Sequence, residues 1–191
     1  MKLRGLCILG LMIFVSHLYS QTWKELNPSP NIFNEEILSV VADSKGNIYA
    51  AGKFKNLENK FMVAKWDGQH WLELGSGSGA LNANNFIYCL AVDTTGNLYA
   101  AGSFTNSTGY TSIAKWDGTK WSEVGGLVNA LNPNGYIHTM TVDVTGNLFV
   151  AGGCTDTSGN GYVARWNGMS WSQLGVGSKA LRANGYIYSL T

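Results

Sequence analysis

Carboxamide and tyrosine side chains that recur every fifty residues are the strongest candidates for ligand contact in this sequence. The carboxamides follow a repeated Ala-Leu pair, and in two copies a tyrosine comes two residues after the last carboxamide. Carboxamides donate and accept hydrogen bonds, and tyrosine adds an aromatic face, so together they could bind sugar hydroxyls and stack on sugar rings. The candidate residues are Asn82, Asn84, Asn132, Asn134, Arg182, Asn184, Tyr136 and Tyr186.

The same asparagines also fit a structural role. Asparagine side chains in loops commonly hydrogen-bond to nearby backbone, and here they would define the crossing from one repeat to the next. Taken alone, the sequence favours this role over ligand binding. If a ligand site exists, the repeat predicts that it occurs once per unit.

Few residues in the sequence could carry catalysis. After residue 20 the chain has two histidines, His70 in a turn and His138 in a strand of another repeat, so they do not form a metal-binding pair. Glu73 and Glu123 are equivalent positions on an outer strand, where solvent exposure is the ordinary explanation. Motifs for a nucleophile elbow, a phosphate loop or a zinc protease are missing. The sequence therefore predicts no catalytic residue, no metal and no cofactor, and an enzyme is the less favoured class.

Three gapless copies of one fifty-residue unit position these side chains. Self-similarity at a fixed period is the signature of a repeat architecture. The copies share turn residues, glycines and tryptophans at the same places. Among the repeated residues are Asp43, Asp93 and Asp143, Gly52, Gly102 and Gly152, Trp66, Trp116 and Trp166, and Trp71, Trp121 and Trp171.

Each unit contains four short apolar runs bounded by turn residues, which predicts four strands and no helix. In the first unit these strands, called a, b, c and d, cover residues 38–42, 48–52, 62–66 and 71–74. Asp43 opens the turn between a and b, and Gly46 supplies the positive φ that closes it. Too few oxygen ligands surround this aspartate for a calcium loop, so we interpret it as structural.

The strands of one unit predict a sheet that must pack against its neighbours. Trp66 and Trp71 flank the c–d turn, which predicts two indoles in contact across the hairpin. Ala50 and Ala51 in strand b are small enough to let neighbouring sheets approach closely. A sheet of this kind cannot bury both faces alone, so units must stack. The predicted fold class is all-β, a β-propeller-type array of four-stranded antiparallel blades, with an all-β solenoid as the weaker alternative.

Strand b ends in glycine and is followed by an aromatic-Asp turn and a tryptophan, a pattern that resembles kelch repeats. Residues 64–71 and 114–121 have the form Ala-Lys-Trp-Asp-Gly-x-x-Trp, which is similar to the kelch-like propeller arrays of secreted bacterial proteins. The resemblance covers nearly all of the chain after residue 20 and implies a propeller, here a piece of a longer array. It implies no particular activity, because propellers serve enzymes and binding modules alike.

The N-terminal residues have the layout of a secretory signal. Lys2 and Arg4 precede an uncharged apolar run at residues 6–15, which is too short to span a bilayer as a helix. The 13 basic side chains, less Lys2 and Arg4, leave 11 against 12 acidic ones, so charge does not favour a nucleic acid. The predicted organisation is a signal peptide at 1–20, an outer strand and loop at 21–36, blades at 37–86, 87–136 and 137–186, and the first strand of an incomplete blade at 187–191.

The b–c and d–a loops, residues 55–60 and 76–85 in the first unit, are predicted to share one face, and loops on a rigid scaffold are a usual place for binding. We predict a secreted or cell-surface, non-catalytic binding, scaffold or adhesion module. Its partner is an extracellular protein or a glycan, without nucleic acid and without a stable membrane span. The alternatives are a lectin-like protein with one weak site per blade and the propeller part of a larger extracellular enzyme. Cys89 and Cys154 occupy non-equivalent places and are predicted to be buried free thiols.

Overall fold

The computed structural model describes residues 32–126 and 128–191, which form three four-stranded antiparallel sheets of one topology. The first sheet contains β1 (Ile37–Ala42), β2 (Ile48–Lys55), β3 (Phe61–Trp66) and β4 (Trp71–Glu73). The second contains β5 (Ile87–Val92), β6 (Leu98–Thr105), β7 (Thr111–Trp116) and β8 (Trp121–Glu123). The third contains β9 (Ile137–Val142), β10 (Leu148–Gly152), β11 (Ala164–Trp166) and β12 (Trp171–Gln173). Short 3-10 turns at Gly77–Gly79 and Gly177–Lys179 follow the first and third sheets.

Each unit forms the four predicted strands, but strand b is longer than predicted in the first two units. It runs to Lys55 in β2 and to Thr105 in β6, whereas the sequence predicts an end at the repeated glycine. The extension arises because Lys55 pairs with Phe61 and Thr105 pairs with Thr111, so strands b and c come together again after an irregular stretch. In the third unit, strand b ends at Gly152.

The three sheets stack face to face through buried small and apolar side chains. One core cluster joins the first and second sheets and includes Ala51, Leu74 and Leu98. A second cluster joins the second and third sheets and includes Val124 and Leu148. The first strands of the sheets are neighbours, since β1 contacts β5 and β5 contacts β9. The chain is therefore an all-β, propeller-type array in which strand a of each blade is the innermost strand.

The predicted tryptophan pairs are confirmed in all three units. Trp66 and Trp71 pair across the hairpin with ring centroids 5.6 Å apart, and the equivalent pairs are separated by 5.7 Å and 5.5 Å. Such aromatic pairs add about 0.5–1.5 kcal/mol each beyond the apolar area that they bury. The indole nitrogen of Trp121 also donates to the carbonyl oxygen of Leu74 at 2.9 Å, which links the second sheet to the first.

A bulge in the first strand of every sheet depends on the glycine repeated in strand b. Gly52 pairs with Ile37, and the ladder then skips Leu38. The same shift leaves Tyr88 and His138 without strand partners in the second and third sheets. A Cβ atom on Gly52 would lie 2.9 Å from the backbone nitrogen of Leu38, so a larger residue does not fit there. Bulges re-aim the side chain of the extra residue, and here they do so on the innermost strands.

Residues 187–191, predicted as the first strand of an incomplete blade, have no strand partner among the described residues. They nevertheless lie where such a strand begins. The backbone nitrogen of Leu190 donates to Thr139 Oγ1 at 3.1 Å, which repeats the 3.0 Å bond from the nitrogen of Leu90 to Ser39 Oγ. The predicted signal peptide and outer strand lie outside the described residues.

The predicted buried free thiols are confirmed for Cys89 and Cys154. Burial raises the pKa of the Cys154 thiol to about 12 and also raises that of Cys89. A thiol with a raised pKa is poorly nucleophilic. We therefore assign both cysteines to the packing between sheets.

Candidate ligand-binding face

The b–c and d–a loops lie together at one end of the sheets, as the sequence predicts. Phe61 at the start of β3 and Ala83 in the d–a loop exchange two backbone hydrogen bonds, of 3.0 Å and 3.2 Å. Gly161 and Ala183 repeat this exchange in the third unit at 2.7 Å and 3.1 Å. We call this end, with the beginnings of the innermost strands, the loop face.

Two of the candidate carboxamides fasten the loops to the next sheet. Asn84 accepts a hydrogen bond from the backbone nitrogen of Thr105 at 2.9 Å and donates to Thr105 Oγ1 at 2.8 Å. Asn134 makes the same pair of bonds with Thr155, at 2.8 Å and 2.6 Å. Asn184 occupies the equivalent place in the third unit and is exposed. The structure therefore gives Asn84 and Asn134 the structural role that the sequence favours.

Asn82, Asn132 and Arg182 occupy a loop position that requires a left-handed backbone. Their φ angles are 48°, 47° and 49°. Asparagine tolerates this conformation better than most residues, which accounts for two of the three copies. Arg182 adopts it as well, and its guanidinium donates to the carbonyl oxygen of Gly177 at 3.2 Å. Backbone conformation thus accounts for the repeat at this position without a ligand.

Five aromatic rings form a continuous cluster at the beginnings of the innermost strands, which we call the aromatic surface. It consists of Tyr88, Tyr136, His138, Tyr186 and Tyr188. The rings of Tyr88 and His138 stack with centroids 5.3 Å apart and planes 14° apart, and Tyr188 lies 5.2 Å from His138. Tyr136 contacts Tyr88 at 6.4 Å, and Tyr186 contacts His138 at 5.5 Å. The candidate residues Tyr136 and Tyr186 therefore belong to one surface that spans neighbouring units.

The sequence prediction missed Tyr88, His138 and Tyr188 as members of this surface. Tyr88 and His138 are the bulge residues opposite the repeated glycines. Tyr188 occupies the same position of the repeat in the next copy. The repeat did contain a signal. This position of strand a is occupied by Leu38, Tyr88, His138 and Tyr188 in successive copies, whereas the positions beside it hold small or branched apolar residues. The fifty-residue spacing of the repeat does not reveal the bulge that turns these side chains onto one surface.

The environment of His138 predicts a pH dependence of stability. Burial lowers the pKa of His138 below its usual value of 6.5. The folded chain then binds fewer protons than the unfolded chain, so this contribution to stability is complete above pH 6.5 and is lost as the pH falls below it. We expect the melting temperature to fall between pH 6.5 and about pH 5 more steeply for the wild type than for His138→Tyr. If the melting temperature changed equally with pH in the two proteins, burial of His138 would not be the cause of the pH dependence.

Crevices on the outer part of the loop face carry a second set of polar groups. The crevice beside the first sheet has a volume of about 820 Å³ and is lined in part by Trp71, Met62 and Glu73. There Asn56 Nδ2 donates to Glu73 Oε1 at 2.9 Å, and Asn106 bonds to Glu123 at 2.8 Å in the second unit. Each carboxylate is thus held by a carboxamide. Glu73 is therefore a side chain that shapes the crevice wall, and Glu123 makes the equivalent bond in the second unit.

In the described part of the chain, no group of three or more His, Cys, Asp or Glu side chains is placed to hold a metal ion. Across these same residues, none of the helices is long and apolar enough to cross a membrane.

Comparison with known proteins gives a likeness of fold alone. No family model matches the chain, and no curated protein matches it. Among solved structures, it is similar to a fucose lectin from Kordia zhangzhouensis in complex with methyl-fucoside, with a TM-score of 0.45 and 16% identity over 74% of this chain and 98% of that one. It is also similar to the extracellular domain of a protein described as a hybrid two-component system from B. thetaiotaomicron, with a TM-score of 0.45 and 14% identity, covering 72% of this chain and 16% of that one. Neither likeness assigns a role to any residue here.

Proposed function

We propose that this chain is a non-catalytic binding module of the cell exterior that holds a neutral glycan on its aromatic surface. The observation that carries the proposal is the contiguous cluster of aromatic rings, in which Tyr136 contacts Tyr88 at 6.4 Å and yet stays 51% exposed between two described sheets. A contiguous group of large exposed side chains on a folded domain marks an interaction site more often than chance.

The chemistry of the cluster favours a sugar as its ligand. A tyrosine ring has a negative face, which attracts the slightly positive C–H groups on the flat side of a pyranose. Tyrosine hydroxyls and the ring nitrogens of His138 can exchange hydrogen bonds with sugar hydroxyls. Tyrosine also has few rotatable bonds, so ordering it on binding costs little conformational entropy. Tyrosine-rich surfaces also bind proteins, so the test must distinguish glycan binding from protein binding.

The predicted signal peptide supports the proposal of an extracellular ligand. The apolar run at residues 6–15, preceded by Lys2 and Arg4, is the pattern of a secretory signal peptide. The kelch-like resemblance stays a prediction, and we propose it as the family relation of the array. We propose a non-catalytic module for two reasons. His70 and His138 belong to different sheets, and Glu73 and Glu123 are each hydrogen-bonded to a neighbouring carboxamide.

The test is binding of the chain to immobilised glycans, followed by affinity gel electrophoresis in galactomannan and xyloglucan. We expect the wild type to be retained, and Tyr136→Ala with Tyr186→Ala to weaken the interaction by about tenfold or more. Tyr110→Ala is the matched control, because Tyr110 is 49% exposed but lies outside the aromatic surface. Lack of retention by any glycan, or equal losses in the double variant and the control, would overturn the proposal.

A further inference from the structure

A second crevice on the outer part of the loop face lies between the second and third sheets, so described residues supply both of its walls. It has a volume of about 500 Å³, which is within the roughly 300–1,000 Å³ of small-molecule sites. Leu131 comes from the d–a loop of the second unit, whereas Asp156, Tyr162, Trp171 and Gln173 come from the third. The crevice is therefore built across one boundary between neighbouring units.

Aromatic and apolar side chains form part of its lining. Tyr162, Trp171 and Leu131 pack against the core cluster that joins the second and third sheets, and each is only partly buried. The indole nitrogen of Trp171 is buried and has no hydrogen-bond partner among the described residues, whereas that of Trp121 donates to Leu74 at 2.9 Å. Trp171 therefore lacks the bond that ties its equivalent to the preceding sheet.

A carboxylate and a carboxamide occupy the same two positions of the repeat in every unit. The first two units have asparagine in the b–c loop and glutamate in strand d, and the two are hydrogen-bonded, as from Asn106 to Glu123 at 2.8 Å. The third unit exchanges the two types, with Asp156 in the loop and Gln173 in the strand.

The exchanged pair is not bonded internally. In the described part of the chain, Asp156 accepts hydrogen bonds within its own loop, from the backbone nitrogens of Ser158 and Asn160 at 2.8 Å and 3.0 Å, and none joins it to Gln173. A structural bond therefore explains the pair in the first two units but not in the third. There, both side chains line the crevice.

The charges at the crevice favour a neutral ligand with hydroxyl groups. The backbone hydrogen bond from Asn160 is the main cause that holds the pKa of Asp156 below its usual value of 3.8, and the charge of Arg182 adds to it. The carboxylate is thus ionised at neutral pH, but the guanidinium near it disfavours a second cation such as an amine. A carboxylate accepts hydrogen bonds from hydroxyl groups, and a carboxamide both donates and accepts them. Tyr162 and Trp171 add aromatic faces, which attract the C–H side of a sugar ring.

We propose that this crevice is a second saccharide-binding site, in which Asp156 and Gln173 bond to the hydroxyls of one sugar residue and Trp171 contacts its apolar side. None of the residues that line it belongs to the aromatic surface, so the two sites can be tested apart. In the second unit, the equivalent glutamate is already bonded to its carboxamide. The exchange of residue types therefore turns a structural pair into a ligand-binding pair.

Two variants test the role of this pair. Gln173→Ala removes a carboxamide that is not bonded to Asp156, so the melting temperature should stay within about 3 °C of the wild type. Asp156→Asn combined with Gln173→Glu restores the pair of the first two units, in which the side chains bond to each other and not to a ligand. Asn56 shows that asparagine fits this place in the loop, since it accepts the two equivalent backbone hydrogen bonds at 3.0 Å. Glu123→Ala is the matched control at the same position of the second unit.

The experiment is a titration of the isotope-labelled chain with methyl β-galactoside, methyl α-mannoside and methyl β-xyloside, followed by NMR of the Trp171 indole N–H. This signal is assigned by its disappearance in Trp171→Phe. We expect it to shift and saturate with at least one of these glycosides. Kd should rise about tenfold or more in Gln173→Ala and in the combined variant, and it should keep the wild-type value in Glu123→Ala.

The NMR signals of Trp171 and of the His138 ring separate this inference from the function proposed for the aromatic surface. A Trp171 signal that responds to none of the glycosides overturns the crevice site, even if the His138 ring responds. A wild-type Kd in Gln173→Ala or in the combined variant, or an equal loss in Glu123→Ala, overturns it as well. A response at Trp171 without one at His138 supports the crevice site and counts against binding at the aromatic surface.

Discussion

Replacing Gly102 with alanine is expected to destabilise the second sheet by roughly 3 kcal/mol or more. A Cβ atom at this position would lie 2.8 Å from the backbone nitrogen of Tyr88 and 2.9 Å from the Cα atom of Ile87, and closer still to the carbonyl of Phe86. These are backbone atoms of the bulge, so no side-chain rotation relieves the clash. Strand β5 would have to move away from β6, and its neighbours β1 and β9 on the innermost layer would lose contact.

Urea unfolding followed by tryptophan fluorescence measures this effect. Gly185→Ala is the matched control, because a Cβ there meets nothing within 4 Å and its φ is not in the left-handed region. We expect the control to unfold at nearly the wild-type urea concentration, since removing a glycine in open space mainly restricts the unfolded chain. If the urea concentration at the unfolding midpoint were unchanged in Gly102→Ala, the bulge of β5 would not pack closely on Gly102. If folded protein remains, weaker glycan binding is also expected, because Tyr88 is the bulge residue.

The repeat was enough to predict the sheets, because the determinants of each strand are local. Turn residues such as Asp43 and Gly46, and the flanking tryptophans Trp66 and Trp71, occur at fixed places in every unit and leave little freedom of register. The stacking of sheets followed from the small residues of strand b. Strand ends were less predictable. Whether Lys55 pairs with Phe61 depends on how the chain returns after an irregular stretch, and the pattern of apolar residues does not encode that return.

The candidate site was predicted only in part, for a physical reason that particular residues show. Repetition singled out Asn84 and Asn134, but a repeated polar residue serves the repeated structure first, and both side chains bond to the next sheet. Exposed aromatic residues are visible in a sequence only when their neighbours are known. Tyr88 and His138 look like ordinary strand residues until the bulge removes their partners.

Replacing Asp93 with alanine is expected to cost about 2 to 3 kcal/mol of unfolding free energy, because one carboxylate organises the whole a–b turn. Its oxygens accept bonds from the backbone nitrogens of Thr95 and Asn97, both at 2.9 Å, and from their side chains, both at 2.7 Å. The hydroxyl of Tyr99 approaches the same carboxylate at 3.4 Å. Burial, with Asp93 as the second cause, raises the pKa of Tyr99 to about 12. Without Asp93 this hydroxyl loses that acceptor.

The third unit of the chain supplies the control for Asp93→Ala. Phe149 stands there in the place of Tyr99, so a phenyl ring is accepted at this position of the fold. Tyr99→Phe alone should therefore change stability little, and adding it to Asp93→Ala should recover part of the loss. A double-mutant cycle that shows strictly additive effects would contradict the link between the two side chains.

Acid titration gives an independent check of the role of Asp93. Burial alone would raise the pKa of Asp93, but hydrogen bonds from Asn97 and Thr95 outweigh it and hold the pKa below its usual value of 3.8. A carboxyl group with a pKa lowered by folding stabilises the protein fully above its unfolded pKa, and this stabilisation is lost as the pH falls below 3.8. Wild-type stability should therefore fall more steeply than that of Asp93→Ala in this range, so that the difference between the two proteins narrows in acid. A difference that stays constant with pH would assign the loss to the shape of the turn and not to the charged carboxylate.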